Sequence, residues 1–393
     1  MLILKALAII IAIILLIKAT IAIKWPFWSK QPVFHYWNAM LWLNPDRLIN
    51  PEPNVNKSSR FYDRSVAFEE IGDASPETIA DFCELVRTHF MRSKEVDFSP
   101  SPTNILAHFK YHLAPSHIAY IKQPITGNML GAITGRPLNC YFSETSQQGQ
   151  VTSTRIPLNY VDYLCVDTNN RKKNMAPRLI YTYYANLCET TKTAQVCLFK
   201  REGDTHFIVP LCAYMTHGFS LDKLFYNLRI RKKSHLLPPQ TSILHVKDVS
   251  IITQYENTMK SAFKCLIIPT ATNISHMIEA KVYQIYAIIA ADGSLLSMYV
   301  FKDVETTFDG EKSLDCIASF NNTDETTFIA GFFNVLTSKL SAKVLVIENI
   351  AHNSRLIEAM SEICSPAFHS KTSYYLYNYA SHPLVSRETF ILC

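Results

Sequence analysis

Apolar residues fill positions 2–23 almost without interruption, a run of Ile, Leu and Ala broken only by Lys5, Lys18 and Thr20. A helix needs roughly 20 such residues to cross a bilayer core, so the run predicts a transmembrane helix. Lys5 and Lys18 lie near its ends, where their aliphatic stems reach toward headgroups. A cleavable signal peptide has a shorter apolar core followed by small residues. Here the run passes into Lys24, Trp25, Phe27 and Trp28 instead, and tryptophan favours the membrane interface. The lack of any polar face separates it from an amphipathic helix of a globular body. Lys18, Lys24 and Lys30 follow the apolar core, while only Lys5 and the α-amine precede it. By the positive-inside rule the protein is then single-pass, with the large C-terminal part in the cytoplasm.

Beyond the run the hydrophobic period alternates between that of helices and that of strands. Positions 76–90 place Ile79, Phe82, Leu85, Val86 and Phe90 at helical spacing, and 176–187 repeats that pattern. Short apolar runs at 117–121, 129–134 and 160–166, separated by turn residues, predict strands. The second part repeats the grammar, with strands at 283–290, 295–300 and 344–347 and helices at 326–340 and 355–363. Between the two parts, residues 231–242 (RKKSHLLPPQTS) combine a charge cluster with a Pro-Pro pair, which marks a linker. The expected organisation is a membrane anchor at 1–24 and two mixed α/β halves at 25–234 and 235–393.

Composition narrows the function. A net charge of +5 from 38 basic and 33 acidic residues, without a dense basic run, excludes a nucleic-acid surface. The ten cysteines stand singly, without a CxxC pair or a Cys/His spacing that suits zinc, so neither a metal site nor a disulfide scaffold is expected. The Asn-x-Ser/Thr triplets at Asn56, Asn273 and Asn321 decide nothing in a chain of this length.

One segment points to chemistry. In DYLCVDTNNRKKNMAPRLI (162–180) an apolar strand ends at Val166, a polar turn carries Arg171, Lys172 and Lys173, and a helix starts near Pro177. Cationic side chains and unpaired helix amides then face one spot, an arrangement that suits a pyrophosphate. A solvated charge run at a loop is the alternative reading of the same residues.

The wording of this segment, LCV, then Arg-Lys-Lys, then Met-Ala-Pro-x-Leu-Ile, resembles the signature of the protein N-myristoyltransferases. WPFWSKQPV (25–33) is similar to that family's N-terminal acyl-CoA segment, and YYLYN (374–378) is followed by fifteen residues to the chain end, much as the family ends. Weaker matches are VDFSPSP (96–102), the strand pair around Gly131 and CAYMTHGFSLDKL (212–224), so the resemblance runs from Trp25 to Cys393.

The resemblance implies two GNAT-like halves related by a pseudo-twofold. It implies transfer of a myristoyl chain from acyl-CoA, a co-substrate and not a permanent cofactor, to the N-terminal glycine of a protein. Carried over, it makes the amides of Tyr163 and Leu164 an oxyanion hole, which the chemistry needs where charge develops on the thioester carbonyl. Arg171, Lys172, Lys173 and Asn174 would bind the CoA phosphates, Trp25, Pro26, Phe27 and Trp28 the nucleotide end, and Met175 and Ala176 would complete the acyl-CoA site. Asp162 and Tyr214 would line the acceptor pocket, and the α-carboxylate of Cys393 would serve as base. The sequence departs from the family on the acceptor side. Asp162 stands where an Asn is usual, an expected Thr is replaced near Leu198 or Phe199, and Arg92, Ser93, Lys94 and Glu95 replace an acidic cluster. These departures predict an altered peptide preference, and leave open a different acyl chain or amine acceptor, or an acyl-CoA-binding scaffold without transfer.

Overall fold

The computed structural model of the chain describes residues 2–53, 55–91, 95–146, 148, 150–191, 195–203, 207–230 and 235–393. Residues 92–94, and the charged start of the linker at 231–234, lie outside them.

The apolar run forms one helix, Leu2–Lys24, long and apolar enough to cross a membrane. Of its described side chains only Ile21 is buried, as part of the apolar cluster that includes Val33, Val66 and Ile121 of the body. The helix therefore leaves the body near its C-terminal turn, where the Trp25 ring stacks on Phe207 at 4.8 Å.

The body is built on one large twisted sheet with helices on its faces, the mixed α/β class that the two hydrophobic periods predict. Its central path runs through strands Thr389–Ile391, Cys265–Ile268, Met129–Thr145, Val151–Val166, Val196–Glu202, Phe368–Tyr377, Cys212–Ser220, Val344–Glu348, Glu311–Asn321, Leu295–Lys302, Tyr283–Ala290 and Thr241–Val246. The last of these begins inside the 231–242 segment. Two parts of this sheet are built alike. In the first, the hairpin Met129–Thr145 and Val151–Val166 leads into helix Met175–Thr190 and then strand Val196–Glu202, parallel to the hairpin's second strand. In the second, the antiparallel pair Leu295–Lys302 and Glu311–Asn321 leads into helix Glu325–Lys339 and then strand Val344–Glu348, again parallel. This is the repeated architecture expected of tandem halves.

The halves exchange strands. Cys212–Ser220 pairs with Val344–Glu348 and Phe368–Tyr377, while Cys265–Ile268 pairs with Met129–Thr145 and is itself edged by Thr389–Ile391. Packing between helix and sheet is close in the first unit. A Cβ at Gly135 would lie 2.1 Å from the Tyr183 hydroxyl, so only glycine lets that helix seat. Helix Pro76–His89 forms as its pattern predicts. Ser75 accepts the Thr78 N–H as N-cap, proline follows at the first turn, and Phe82, Leu85 and Val86 are buried.

Candidate active site

A cavity of about 1000 Å³ lies where the two units meet and draws its walls from both. One end is largely apolar and aromatic, with Phe27, Trp28, Ile133, Ile180, Tyr183, Tyr184, Phe199 and Tyr377. The other end is polar, and its floor is the sheet itself. Because side chains alternate along a strand, positions two apart face the same way. Asp315 and Ile317, Val346 and Glu348, and Ser370 and Thr372 present themselves to the cavity in this manner, joined by Lys302 at the end of its strand and Val304 just beyond it.

Between the two ends the Val151–Val166 strand breaks its ladder. Thr134 pairs with Asp162 and Ala132 with Cys165, so Tyr163 and Leu164 together oppose Ile133 in a β-bulge. Tyr163 sits at φ 44°, a conformation that costs a non-glycine residue on the order of 1–2 kcal/mol. Its ring holds it there, packed at 5.5–6.0 Å among Phe82, Phe90 and Phe109, and that burial pushes its hydroxyl pKa far up. Tyr163 and Leu164 both line the cavity, at the place where the sequence reading expects an oxyanion hole. The Tyr163 N–H, however, donates to Asp162 Oδ1 at 2.9 Å.

Asp162 is held on its other side as well. Its Oδ2 accepts from Arg136 Nη1 at 3.1 Å. Arg136 is buried, with its guanidinium 4.8 Å from the Tyr160 ring centroid. Burial works against the arginine's charge, but Asp162, with further help from Cys393 and Tyr160, outweighs it and raises the pKa. Asp162 is thus at the cavity as the sequence predicts, but as the counter-ion of a buried arginine.

After the strand comes a short 3-10 turn, Thr168–Asn170, and then the basic loop. Arg171 folds back to donate to the His89 carbonyl at 2.6 Å and the Val166 carbonyl at 3.3 Å, so it pins the loop. Lys173 donates to Asn170 Oδ1 at 3.0 Å, and Lys172 stands exposed at φ 64°. Asn174, at φ 56°, caps the next helix without a side-chain hydrogen bond. That helix starts at Met175, two residues before the position read from the sequence. Its first-turn amides have no intrahelical partner, and Ala176 and Pro177 line the cavity. Met175 is buried beneath Gly131.

The WPFW segment divides. Phe27 and Trp28 line the apolar end, with Trp28 stacked on Phe199 at 5.6 Å, whereas Trp25 packs on Phe207 and Pro26 is exposed. Tyr214 lies behind the polar end. It is buried, and its hydroxyl donates to Glu348 Oε2 at 2.7 Å, supporting a residue that faces the cavity. Cys393 does reach the cavity. Its main-chain oxygen accepts from Lys302 Nζ at 2.9 Å, and its sulfur lies 3.1 Å from the Tyr374 hydroxyl.

Several cavity residues escaped the sequence reading. Lys200 and Glu348 form an ion pair at 2.6 Å that ties strand Val196–Glu202 to strand Val344–Glu348. Burial lowers the Lys200 pKa, yet Glu348 and Cys393 more than offset this and raise it. For Lys302, burial and the neighbouring Arg136 prevail and lower the pKa. Asp315 is pushed up to about 7 by burial and by Glu348, against the opposing pull of Lys200 and Lys302. The available signal was a charged residue at an inward position of an otherwise apolar strand, as in VLVIE (344–348) and SLDCIASF (313–320).

No protein-family model and no curated protein sequence matches the chain. Solved structures do. Saccharomyces cerevisiae N-myristoyltransferase with bound myristoyl-CoA superposes with a TM-score of 0.68 at 14% identity, covering 92% of this chain and 94% of that one. A structure of the yeast enzyme with myristoyl-CoA and inhibitors gives 0.67 at 15% identity, covering 92% and 91%. A tandem GNAT protein from the clavulanic acid biosynthesis pathway gives 0.52 at 11% identity, covering 80% of this chain and 99% of that one. Over nearly its whole body, the chain has the fold of the N-myristoyltransferases, two GNAT-type halves joined in one sheet around a shared cavity.

Proposed function

We propose that the protein is a membrane-anchored acyl-CoA N-acyltransferase that moves a long acyl chain, myristoyl in the first instance, to the N-terminal glycine of proteins. The observation that carries this reading is the continuity of the cavity. An apolar end suited to an alkyl chain, a strand bulge that presents backbone, and a polar end suited to an amine succeed one another in a single space. The basic loop and the uncapped helix start at Met175 supply the anion-binding side for the CoA phosphates.

The transfer needs no acyl-enzyme. The amine attacks the thioester carbon, the backbone at Tyr163 and Leu164 stabilises the oxyanion, and CoA leaves as the thiolate. The Leu2–Lys24 helix would hold the body at a bilayer, close to acyl-CoA and to a lipidated product that prefers the membrane. A second reading, an acyl-CoA-binding protein without transfer, draws on the Tyr163 N–H, which already donates to Asp162. One experiment separates the two. The detergent-solubilised protein is incubated with myristoyl-CoA and peptides that begin with glycine, and products are followed by mass. Acylated peptide is expected. Myristoyl-CoA binding with no product from any glycine peptide or other primary amine would overturn transfer in favour of the second reading.

A further inference from the structure

Resting on the acyl-transfer reading, we propose that Asp315 is the acceptor-side carboxylate of this protein, binding the incoming amine as an ammonium and taking its proton before attack. Asp315 lies on strand Glu311–Asn321, opposite Lys302 on the antiparallel neighbour. Directly opposed residues share a face of the sheet with Cβ atoms about 5 Å apart, which is ion-pairing distance for a lysine and an aspartate. Yet Lys302 reaches past its neighbour and donates to the Cys393 oxygen at 2.9 Å. The other candidates are engaged in the same manner. Asp162 is bound to Arg136 and to the Tyr163 amide, and Glu348 to Lys200 and the Tyr214 hydroxyl.

Asp315 is different. Its side chain faces the cavity, and among the described residues no hydrogen bond or ion pair engages its carboxylate. The charged groups around it are Lys200, Lys302, Glu348 and Asp303. Lys200 is paired with Glu348, Lys302 is turned to Cys393, and Asp303 is paired with Lys312. A cation entering the polar end therefore finds Asp315 not already bonded on the sheet floor, whereas Glu202, the other unbonded carboxylate of the lining, is exposed to solvent. A base that titrates near neutrality also suits proton transfer at cellular pH, and Asp315 is held at about 7.

The step balances. The substrate ammonium gives one proton to the Asp315 carboxylate, and the nitrogen lone pair forms the C–N bond. The C–S bond then breaks with its electrons leaving on sulfur, and the second N–H proton ends on the CoA thiolate. The products are an amide, CoA thiol and protonated Asp315, which returns its proton to water.

The test compares wild type, Asp315→Asn and Asp315→Glu in the full chain, with myristoyl-CoA and a glycine-starting peptide. For wild type, kcat/KM is expected to rise with pH and level off above about 7, the value to which Asp315 is held. In Asp315→Asn, kcat falls by about 100-fold or more and the rising limb disappears, while myristoyl-CoA affinity stays at the wild-type value. Asp315→Glu restores part of the rate and a displaced limb. An Asn variant within about threefold of wild type, a limb that persists at the same pH, or a variant that also loses myristoyl-CoA affinity would each overturn the assignment.

Calorimetric titration of the peptide into the myristoyl-CoA-loaded protein gives an answer independent of turnover. Peptide affinity that weakens at least tenfold in Asp315→Asn and loses its pH dependence supports the site, and unchanged affinity overturns it. Wild-type protein that neither acylates nor binds any amine would instead bring down the acyl-transfer reading itself.

Discussion

The two strand–helix–strand units share a plan and differ at one place, the junction where the strand hands over to the helix. In the second unit that junction is closed. Asp324 caps helix Glu325–Lys339 by accepting the Thr327 N–H at 2.9 Å and its hydroxyl at 2.7 Å, so a carboxylate fills the anion-seeking helix start. In the first unit Asn174 offers no side-chain cap and Lys172 and Asn174 both stand at positive φ, whereas the preceding strand bulges in both units, at Tyr163 in the first and at Ile317 in the second. The same fold unit thus serves as scaffold where its helix start is satisfied and as a binding edge where it is not. At this strand-to-helix junction, backbone energy is given up in the copy that faces acyl-CoA in the proposed reading and not in the other.

The largest test of this contrast sets two carboxylates against each other. Asp162→Ala leaves the buried Arg136 charge unpaired and is expected to lower stability by about 3–5 kcal/mol in urea unfolding. Asp315→Asn, which breaks no bond and removes a carboxylate whose charge burial disfavours, is expected not to lower it. Equal losses would mean that the two strands carry their charges for the same structural reason.

Giving the first unit the second unit's cap comes next. Asn174→Asp puts a carboxylate where the CoA phosphates are expected, and myristoyl-CoA affinity should weaken by about five- to tenfold in a titration at low salt. The reciprocal change, Asp324→Ala, should lower stability by about 1 kcal/mol and leave that affinity untouched.

The last test is a pH dependence. The folded-state pKa of Asp315 is raised to about 7, so the folded protein binds that proton more tightly than the unfolded chain. This contribution is complete below the usual carboxylate range and is lost as pH rises from there through about 7. The difference in stability between wild type and Asp315→Asn should therefore shrink or reverse across that window, as read from unfolding midpoints at fixed ionic strength. A flat difference would place Asp315 in contact with solvent.

Much of this was legible from periodicity and wording. The strands at 283–290 and 344–347 and the helix at 76–90 are recovered to within two residues, because burial on a single face writes a clear period into the sequence. The bulge neighbourhood was legible through the motif around Leu164. The polar floor was not. Lys200, Lys302, Asp315 and Glu348 are far apart in sequence and meet only through the sheet order, and a single charge in an apolar strand does not reveal which strand will lie beside it. Nor did Asp162 announce its partner. Arg136 sits on the neighbouring strand, and the diagonal contact depends on a register that the bulge itself sets.

The exchange of strands between halves also bears on how the molecule comes into being. Strand Met129–Thr145 waits for Cys265–Ile268, which in turn is edged by Thr389–Ile391, so the first-made half is synthesised with an open sheet edge. Such an edge invites pairing with other chains until its own partner arrives. Contacts of this sequence separation also form slowly. A newborn chain would then depend on chaperones to cover that edge, and truncations that end before residue 265 would yield aggregates and no half-sized acyl-CoA binder.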